Sequence, residues 1–566
     1  MDYTIIKVKQ QIKEAVQKAL GQEIDQKHIE IGVPPEKDMG DLAIPCFYFA
    51  KLLRLSPNRI AEELKNKIRP VGFIESANNA GPYLNIILNK KVLAQKVLNE
   101  ISKKGEKFGS LKSDKEKIMI EYSNPNTHKE FHIGHSRNAI LGASLVNVYK
   151  FAGKKVIPVN YIGDIGSHVA KCLWALEKFH KDEPLPENKG KYLGGIYGEA
   201  VRRIDENTEL KKETDEVQQK LESGDKYWMA LWKKTKAWSM DELKEIYKLL
   251  NAKFDKIFFE SEVEKPGKKI VAELMERGIA EKSQGAVVIN LEKYNLRTLL
   301  LLKSDGSSLY STKELALAQL KFDKYKIDKS IVIVDNRQGF YFQQFFKTLE
   351  IMGFDKKMEH IPYEFVTLKD GAMSSRSGNI VPFEDFFEKV VELAKAETQK
   401  RHQDWNGEKI SDVSQKIALS AIKFNMIKTN NSNIIVFDVE EALSFDGFTG
   451  PYLQYTISRI NSILKKESPK GEIDFAKLEN LLEKELILKA SNFPEIIAQC
   501  QKENQPSILA KYLFELAKLF SNYYQNIPIL KSEQETKKAR LFLISNIRQV
   551  LINGISLLGI DVLEEM

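Results

Sequence analysis

The chain has 566 residues, of which 43% are hydrophobic and 29% are charged, a composition typical of a globular protein with several domains. The formal net charge of +8 is compatible with a nucleic-acid partner but is too small to predict one. Cys46, Cys172 and Cys500 are far apart in sequence, so we expect neither a disulfide framework nor a cysteine-based zinc site. There is no apolar run of membrane-spanning length and no secretory leader, so we expect a cytoplasmic protein without a membrane association.

The first part of the chain has the pattern of a small α/β domain. Apolar spacing predicts helices over residues 3–20, 42–53 and 57–67, and strands near 28–32, 74–77 and 83–88. The charged stretches at 102–107 and 112–117 indicate a linker. We therefore place a domain boundary at residue 112.

Strands and helices alternate after this boundary. The pattern predicts a strand at 118–122, a helix at about 136–151, a strand at 155–161 and a helix to about 180, with further strands at 256–259, 286–290, 299–302 and 331–334. Such βαβ order predicts a parallel sheet. We predict a Rossmann-like, doubly wound α/β domain over residues 113–385, with a Lys/Glu-rich helical insertion at about 181–250. Residues 386–566 predict an all-α domain.

The first strand of this region leads to a candidate phosphate site. Asn124-Pro125-Asn126 is a turn signal, and His132-Ile133-Gly134-His135 follows at the predicted start of a helix. The backbone N–H groups and positive dipole of a helix N-terminus attract anions, and imidazole can donate to phosphate oxygens. Gly134 allows a close approach of the backbone. The stretch therefore predicts a polyphosphate site.

The histidines of this stretch also allow a metal-binding interpretation. His128, His132 and His135 stand at i, i+4 and i+7, a spacing that places three imidazoles on one helical face and suits zinc. Against this, Pro125 and Gly134 indicate that His128 lies outside regular helix, and the motif has no HExxH acid. We favour phosphate over metal and predict no metal-ligating residues.

The stretch from Glu121 to His135 resembles the first signature of class I aminoacyl-tRNA synthetases, in its arginyl-tRNA synthetase form. Further segments that resemble the arginyl family follow in the expected order at residues 302–316, 331–346 and 369–381. Residues 444–460 and 539–560 resemble its helical anticodon-binding domain. Gly40 to Ala43 and Ala80 to Asn85 resemble the N-terminal domain that the family uses against the tRNA elbow, which would be residues 1–112 here. The resemblance spans essentially the whole chain.

The resemblance implies a site for the amino acid arginine. Residues at the matching positions are Glu121, Ser123, Asn126, Tyr310, Glu314 and Gln338. The family has an Asp where this chain has Glu314. Glutamate keeps the charge and the two acceptor oxygens that suit a guanidinium, and it adds one methylene.

The resemblance also implies the residues that bind ATP and assist the reaction. For ATP these are Pro125, His132, Ile133, Gly134, His135, Met373, Ser374 and Ser375. In the second signature loop, Ala372 and Ser375 stand where the family consensus has lysines. Arginyl enzymes that lack the second of these lysines tend to have one just before the first signature, and Lys129 fits that place. We predict Lys129, His132, His135 and Arg376 as catalytic groups, because the departing pyrophosphate requires positive or hydrogen-bonding neighbours.

The activity implied is that of an arginine–tRNA ligase. L-arginine and ATP, with Mg²⁺, would form arginyl-adenylate, and the arginyl group would pass to the 3′ end of tRNA(Arg). Two alternatives stay open: another class I synthetase, or a tRNA-binding paralogue with weak or no activity, suggested by the missing loop lysines. Tyr512, Tyr523 and Tyr524 of the helical domain either stack on tRNA bases or belong to its core. We expect a monomer.

Overall fold

The computed structural model describes residues 3–21, 24–369 and 381–566. The first domain is an antiparallel three-stranded sheet of order β1-β3-β2 with helices packed on it. Its elements are α1 (Thr4–Leu20), β1 (Leu42–Pro45), α2 (Phe47–Leu53), α3 (Pro57–Lys67), β2 (Ile74–Ala80), β3 (Tyr83–Leu88) and α4 (Lys90–Lys104).

Two predictions for this domain are wrong. Residues 42–45 form a strand rather than the start of a helix, because β1 pairs with β3 and buries Leu42, Ala43 and Ile44. Residues 28–32 form no strand, and only an isolated bridge joins Gly32 to Ala43. Short apolar runs of this kind are ambiguous between helix and strand until their partners are known.

The second domain is built on a five-stranded parallel sheet of order β11-β10-β4-β5-β6. The elements of this domain, in chain order, include strands outside the five-stranded sheet. They are β4 (Lys117–Glu121), α5 (Ile133–Phe151), β5 (Lys155–Ile162), α6 (Ser167–Phe179), the insertion helices α7 (Lys189–Glu206), α8 (Leu210–Ser223) and α9 (Lys226–Leu250), β6 (Lys256–Phe259), α10 (Glu260–Glu276), β7 (Glu281–Ser283), β8 (Ala286–Ile289), β9 (Leu299–Leu302), α11 (Tyr310–Tyr325), β10 (Lys329–Asp335), α12 (Gly339–Ile351), β11 (Lys357–Tyr363) and β12 (Val366–Leu368). The doubly wound fold and the helical insertion are as predicted.

The strand order reverses between β4 and β10. The chain proceeds from β4 outward through β5 to β6, and then returns to the other side of β4 to add β10 and β11. Doubly wound sheets bind ligands at the carboxyl ends of the strands beside such a reversal. The predicted strands at 286–290 and 299–302 exist, but they belong to a separate antiparallel sheet of order β7-β8-β9.

The remainder of the chain is almost entirely helical. Its elements are α13 (Phe383–Arg401), α14 (Gly407–Ile427), β13 (Ile435–Phe437), α15 (Val439–Leu443), α16 (Gly450–Lys466), α17 (Leu481–Ser491), α18 (Phe493–Glu503), α19 (Pro506–Asn526) and α20 (Gln534–Leu557). The short strand β13 pairs in parallel with β12 and so attaches this domain to the previous one. Among the helices of the described residues, none combines the length and the apolar character needed to cross a bilayer.

Arg137 of α5 ties the parallel-sheet domain to the segment around β13. Its guanidinium is 1% exposed and donates to the carbonyl oxygens of Phe365 (3.1 Å), Asn431 (3.3 Å) and Asn433 (3.1 Å), and to that of Glu364. A planar fork with five N–H donors can satisfy several carbonyls at once, whereas a lysine ammonium has three donors at one point. The clamp holds together the two segments that lead into β12 and β13.

Arg137→Lys should therefore lower the free energy of unfolding by about 2–4 kcal/mol, because buried carbonyls lose their donors. Urea unfolding followed by circular dichroism measures the change. Arg59→Lys is the control: Arg59 is exposed, and its side chain forms only an i,i+4 ion pair with Glu63 among the described residues, so its replacement should cost less than about 0.5 kcal/mol. Equal losses in the two variants would contradict the clamp.

Candidate active site

A cavity of about 1030 Å³ opens at the carboxyl ends of β4, β5 and β10, beside the reversal of strand order. Of the residues singled out from the sequence, seven line it: Ser123, Asn126, His132, Gly134, His135, Tyr310 and Gln338. The cavity has two chemically different regions. Histidines and a helix N-terminus form one, and a group of tyrosines forms the other.

The histidine region is built by the two imidazoles that cap α5. His132 Nδ1 accepts from the backbone N–H groups of Gly134 (3.1 Å) and His135 (3.4 Å), while His135 Nδ1 accepts from the N–H of His132 (3.3 Å). The two rings stack with their centroids 3.7 Å apart. Because each Nδ1 is an acceptor, each ring carries its proton on Nε2. The caps extend the helix to residue 133, three residues before its predicted start.

Both imidazoles are held in the neutral form. Burial, reinforced by the nearby Lys129 ammonium, lowers the pKa of His132 to about 4. Burial and the neighbouring His132 lower the pKa of His135 well below its ordinary value. The pair is therefore a set of neutral Nε2–H donors near neutral pH, suited to oxygens of a phosphate chain.

The loop between β4 and α5 is held in an unusual backbone conformation by amide side chains. Ser123 and Asn124 have φ values of 76° and 47°, in the left-handed region. Asn138 of α5 accepts from Ser123 N (2.7 Å) and donates to the carbonyl of Ile333 in β10 (2.8 Å), while Asn160 of β5 accepts from Asn124 N (3.0 Å). The loop is thereby fixed to the strands on both sides of β4. Such strain is common at functional sites.

The tyrosine region surrounds a buried carboxylate. Tyr161, Tyr310 and Tyr341 line the cavity, with ring centroids 6.3 Å apart for Tyr161 and Tyr310 and 5.5 Å apart for Tyr310 and Tyr341. Glu314, one turn after Tyr310 in α11, is 1% exposed behind them. Among the described residues, the hydroxyls of Tyr161 and Tyr341 and both carboxylate oxygens of Glu314 have no hydrogen bond of acceptable geometry.

Burial is the main cause of the raised pKa of Glu314, which rises to about 8. The nearby carboxylate of Glu121 raises it further, while Lys321 and the Tyr310 hydroxyl, which approaches Glu314 closely, lower it. A buried carboxylate without a partner costs free energy, and a raised pKa marks such a group as a candidate ligand-binding residue. The arrangement suits a cation with several donors.

Three comparisons identify the family to which this architecture belongs. The family model for "tRNA synthetases class I (R), catalytic domain" matches residues 96–439, "Arginyl tRNA synthetase N terminal domain" matches 7–88, and "DALR anticodon binding domain" matches 453–566. The chain belongs to the arginyl-tRNA synthetase family.

Proteins named arginine–tRNA ligase align with this chain over nearly their full length. The chain is 36% identical to an arginine–tRNA ligase of Bdellovibrio bacteriovorus, with 94% of this chain and 93% of that protein covered. It is 35% identical to the arginine–tRNA ligase of Halothermothrix orenii over 98% and 99% of the two chains. The arginyl-tRNA synthetase structure of Thermus thermophilus matches with a TM-score of 0.84 and 27% identity, covering 99% of this chain and all of that one.

The structure places Glu121, which the family resemblance assigned to arginine, away from the cavity wall. Its side chain is fully buried, 2.5 Å from the ammonium of Lys321, and its other oxygen accepts from the side-chain amide of Asn124 (3.0 Å). In this structure Glu121 is therefore not placed to contact a ligand in the cavity. The Lys321 ammonium pairs with the carboxylate oxygen that Asn124 does not contact. Of the arginyl-family positions predicted for arginine, Glu121 and Glu314 lie behind the lining residues.

Several other predicted residues also lie away from the cavity surface. Pro125 contributes a backbone carbonyl that accepts from Gly163 N, and Ile133 is buried in the core. Lys129 places its ammonium 5.0 Å from the ring centroid of Tyr197 in the insertion, and burial lowers its pKa. Met373, Ser374, Ser375 and Arg376 lie outside the described residues.

The three histidines do not converge as metal ligands. His128 is buried, with its ring nitrogens 2.9 Å from Thr127 Oγ1 and 2.8 Å from Thr235 Oγ1, so neither points to the capping pair. Within the part of the chain that the structure describes, no group of three or more His, Cys, Asp or Glu side chains could hold a metal ion. His128 instead fastens the loop to helix α9.

Sequence reasoning missed several residues of the site. Tyr161, Glu260, Arg337, Tyr341 and Tyr363 line the cavity, and Asn138 both lines it and fixes the loop. A weak signal existed for two of these tyrosines, since Tyr161 is the last residue but one of β5 and Tyr341 lies six residues after the end of β10, at the carboxyl edge of the sheet.

Gly134→Ala tests the histidine caps. An added Cβ would lie 2.9 Å from Cε1 and 3.0 Å from Nδ1 of His132, so the imidazole would have to move and its hydrogen bonds to the α5 backbone would weaken. We expect KM for ATP in pyrophosphate exchange to rise about tenfold, or about 1.4 kcal/mol. Gly195→Ala in α7, where an added Cβ meets nothing within 4 Å, should leave KM unchanged. An unaltered KM for Gly134→Ala would exclude the caps from ATP binding.

Proposed function

We propose that the protein is an arginine–tRNA ligase, which activates L-arginine with ATP and transfers it to the 3′ end of tRNA(Arg). The observation that carries the proposal is the buried carboxylate of Glu314, which has no cationic partner among the described residues and lies behind tyrosines that line the same cavity as the neutral histidine donors. One region suits a cationic side chain and the other suits a polyphosphate. Membership in the arginyl family supports the same choice of substrates.

The arginine side chain fits the tyrosine region by charge and by geometry. A guanidinium offers paired N–H donors to the two free oxygens of Glu314. The hydroxyls of Tyr161 and Tyr341 can accept further N–H groups, since they have no other partner among the described residues. Ser123, Asn126 and Gln338 remain our candidates for the polar groups at the α-carbon end, because all three line the cavity.

The ATP phosphates fit the N-terminus of α5. In the reaction, a carboxylate oxygen of arginine attacks the α-phosphorus, and the bond from that phosphorus to the bridging oxygen breaks, so pyrophosphate leaves. The Nε2–H groups of His132 and His135 would donate to phosphoryl oxygens as charge builds on them. Lys129 would act as the cation for pyrophosphate after leaving the face of Tyr197, and Arg376 is the second candidate. Mg²⁺ would enter with the nucleotide, because this ion is usually bound through substrate phosphates.

The second half-reaction passes the arginyl group to tRNA. The terminal ribose hydroxyl, the 2′-OH in class I enzymes, attacks the acyl carbon, and AMP leaves with the electrons of the carbon–oxygen bond. The protein positions the reactants and stabilises charge. We propose that it acts in the cytoplasm as a monomer, with residues 1–112 against the tRNA elbow.

A groove in the helical domain supports tRNA binding there. It has a volume of about 420 Å³ and is lined by residues of α16, α19 and the chain end, among them Tyr455, Arg459, Tyr524 and Met566. The Arg459 guanidinium lies 4.6 Å from the ring centroid of Tyr455 and 5.2 Å from that of Tyr524. Exposed aromatic and guanidinium planes can stack on unpaired bases.

Two of the three tyrosines considered for this task belong to the domain core. Tyr512 and Tyr523 are 2% and 0% exposed, and the Tyr512 hydroxyl donates to the carbonyl of Lys489. Tyr524 is 41% exposed at the groove. We therefore keep only Tyr524 as a base-stacking candidate.

Glu314→Gln tests the arginine site. Removing the negative charge deprives a guanidinium of its counter-ion, so kcat/KM for arginine in aminoacylation should fall at least about a hundredfold, or about 2.7 kcal/mol, with KM for ATP nearly unchanged.

Glu273→Gln, at an exposed position of α10, is the matched control and should behave as the wild type. Retention of wild-type arginine kinetics in Glu314→Gln would refute the site. Absence of arginine-dependent pyrophosphate exchange in the wild type, with tRNA(Arg) present, would instead favour the non-catalytic paralogue.

Tyr524→Ala tests the groove. Loss of one stacking plane, worth about 1–3 kcal/mol per base, should raise KM for tRNA(Arg) roughly 5- to 100-fold while kcat at saturating tRNA stays near the wild-type value. Tyr227→Ala, at an exposed tyrosine of the insertion, is the control. An equal rise of KM in both variants would show that the groove has no special part in tRNA binding.

A further inference from the structure

Three glutamates and two lysines meet around the tyrosine region. Glu121 of β4 pairs with Lys321 at 2.5 Å, and Glu260 of α10 pairs with Lys313 at 2.7 Å. Glu314 has no lysine partner among the described residues. The group therefore carries one more carboxylate than ammonium, and the excess lies on Glu314, which has the Tyr310 hydroxyl nearby but no cationic partner among the described residues.

Lys321 is unusual among these groups. It lies seven residues after Glu314, two turns along the same face of α11, and both it and Glu121 are 0% exposed. An ammonium in the core is costly unless a counter-charge accompanies it, so the lysine and Glu121 require each other. No other described side chain or backbone carbonyl forms a hydrogen bond with the ammonium.

We propose, on the basis of the function proposed above, that Lys321 is a charge-balancing residue that neutralises Glu121 and so leaves Glu314 alone to receive one guanidinium. Without the lysine, two buried carboxylates would face the tyrosine region, and like charges in a low dielectric cannot both ionise readily. Glu314 would then keep its proton up to a higher pH, and the proton would compete more strongly with the ligand. Lys321 acts through Glu121 and Glu314 and does not touch the cavity, so it is a positioning residue.

The proposal predicts how arginine binding responds to pH. An arginine that pairs with Glu314 must find it ionised, so a proton leaves the pocket on binding whenever the pH lies below the raised pKa of Glu314. Other groups that face Glu314 are Tyr161 of β5, Tyr341 of α12, Glu260 of α10, and Tyr310, Lys321 and Glu121. The tyrosines stay protonated because burial and Glu314 raise their pKa values.

Two substitutions should shift the pH response in opposite directions. Lys321→Met removes an influence that lowers the pKa of Glu314, so the pH below which the Kd for L-arginine rises should move up by about one unit or more. Glu121→Gln leaves the Lys321 ammonium without a counter-charge near Glu314, so the pH below which the Kd for L-arginine rises should move down. Lys321→Arg keeps the charge and should leave it in place.

Isothermal titration of the full chain with L-arginine, from pH 6 to pH 9, measures these shifts. Thermal melting of each variant checks that it folds. The expected result is an upward shift for Lys321→Met, a downward shift for Glu121→Gln and none for Lys321→Arg. The charge-balancing role is overturned if the pH response has the same position in the Met, Gln and wild-type proteins, or if both substitutions weaken binding equally at all pH values.

Arginine binding by the wild-type protein distinguishes a failure of this proposal from a failure of the proposed function. A wild-type protein that binds no L-arginine at any of these pH values would overturn the proposed function and the role of Lys321 together. Arginine binding by the wild type, with unshifted variants, would overturn the role of Lys321 alone. If Lys321→Met does not fold, the direction of the Glu121→Gln shift still decides the question.

Discussion

The architecture of the site depends on the backbone between β4 and α5. This segment leaves the central strand of the sheet with two consecutive residues, Ser123 and Asn124, in the left-handed region. Each such residue costs of order 1 kcal/mol or more and persists only when its surroundings over-determine it. Here the amides of Asn138 and Asn160 bond the segment to helix and strand, so the strain is stored in a rigid frame. The histidine caps and the tyrosine region are positioned on the two sides of that frame.

The two regions of the cavity solve opposite electrostatic problems. At the start of α5, burial keeps His132 and His135 neutral, so the two imidazoles offer donors to anions without adding positive charge of their own. Around Glu314, lysines pair with the other two carboxylates, so one carboxylate is left to receive a cation and gives up its proton when the cation binds. The two ends of one cavity thus suit ligand groups of opposite charge.

The resemblance to a known family and the strand–helix pattern predicted the sheet domain, the insertion and the phosphate region. These features could be predicted because their signals, such as glycine, proline and histidine at a strand-to-helix turn, lie in short stretches of sequence. Other features arise only from contacts between distant residues. Residues 42–45 were predicted as helix because their pairing with 83–86 is invisible in a local window. Lys321 looks like any polar position of an amphipathic helix, and its burial depends on Glu121, two hundred residues earlier. The tyrosines at 161 and 341 likewise meet only after the sheet forms. The predictions at residues 373–376 lie outside the described structure.

The cations near the histidine region are held by other groups in this structure. Lys129 lies over the ring of Tyr197, and Arg337 makes two hydrogen bonds to the carboxylate of Asp335 (2.8 and 2.9 Å). A cation over an aromatic ring is held by about 0.5–2 kcal/mol, less than a close phosphate offers in a partly buried site. Burial lowers the pKa of Lys129, so its charge is more costly at the ring than it would be beside a phosphate. The contact with the ring is thus weak enough for the Lys129 ammonium to leave it. Because the ammonium is partly desolvated there, its free energy would fall beside a group that develops negative charge. The insertion therefore positions the Lys129 ammonium through Tyr197, while no residue of α7, α8 or α9 lines the cavity.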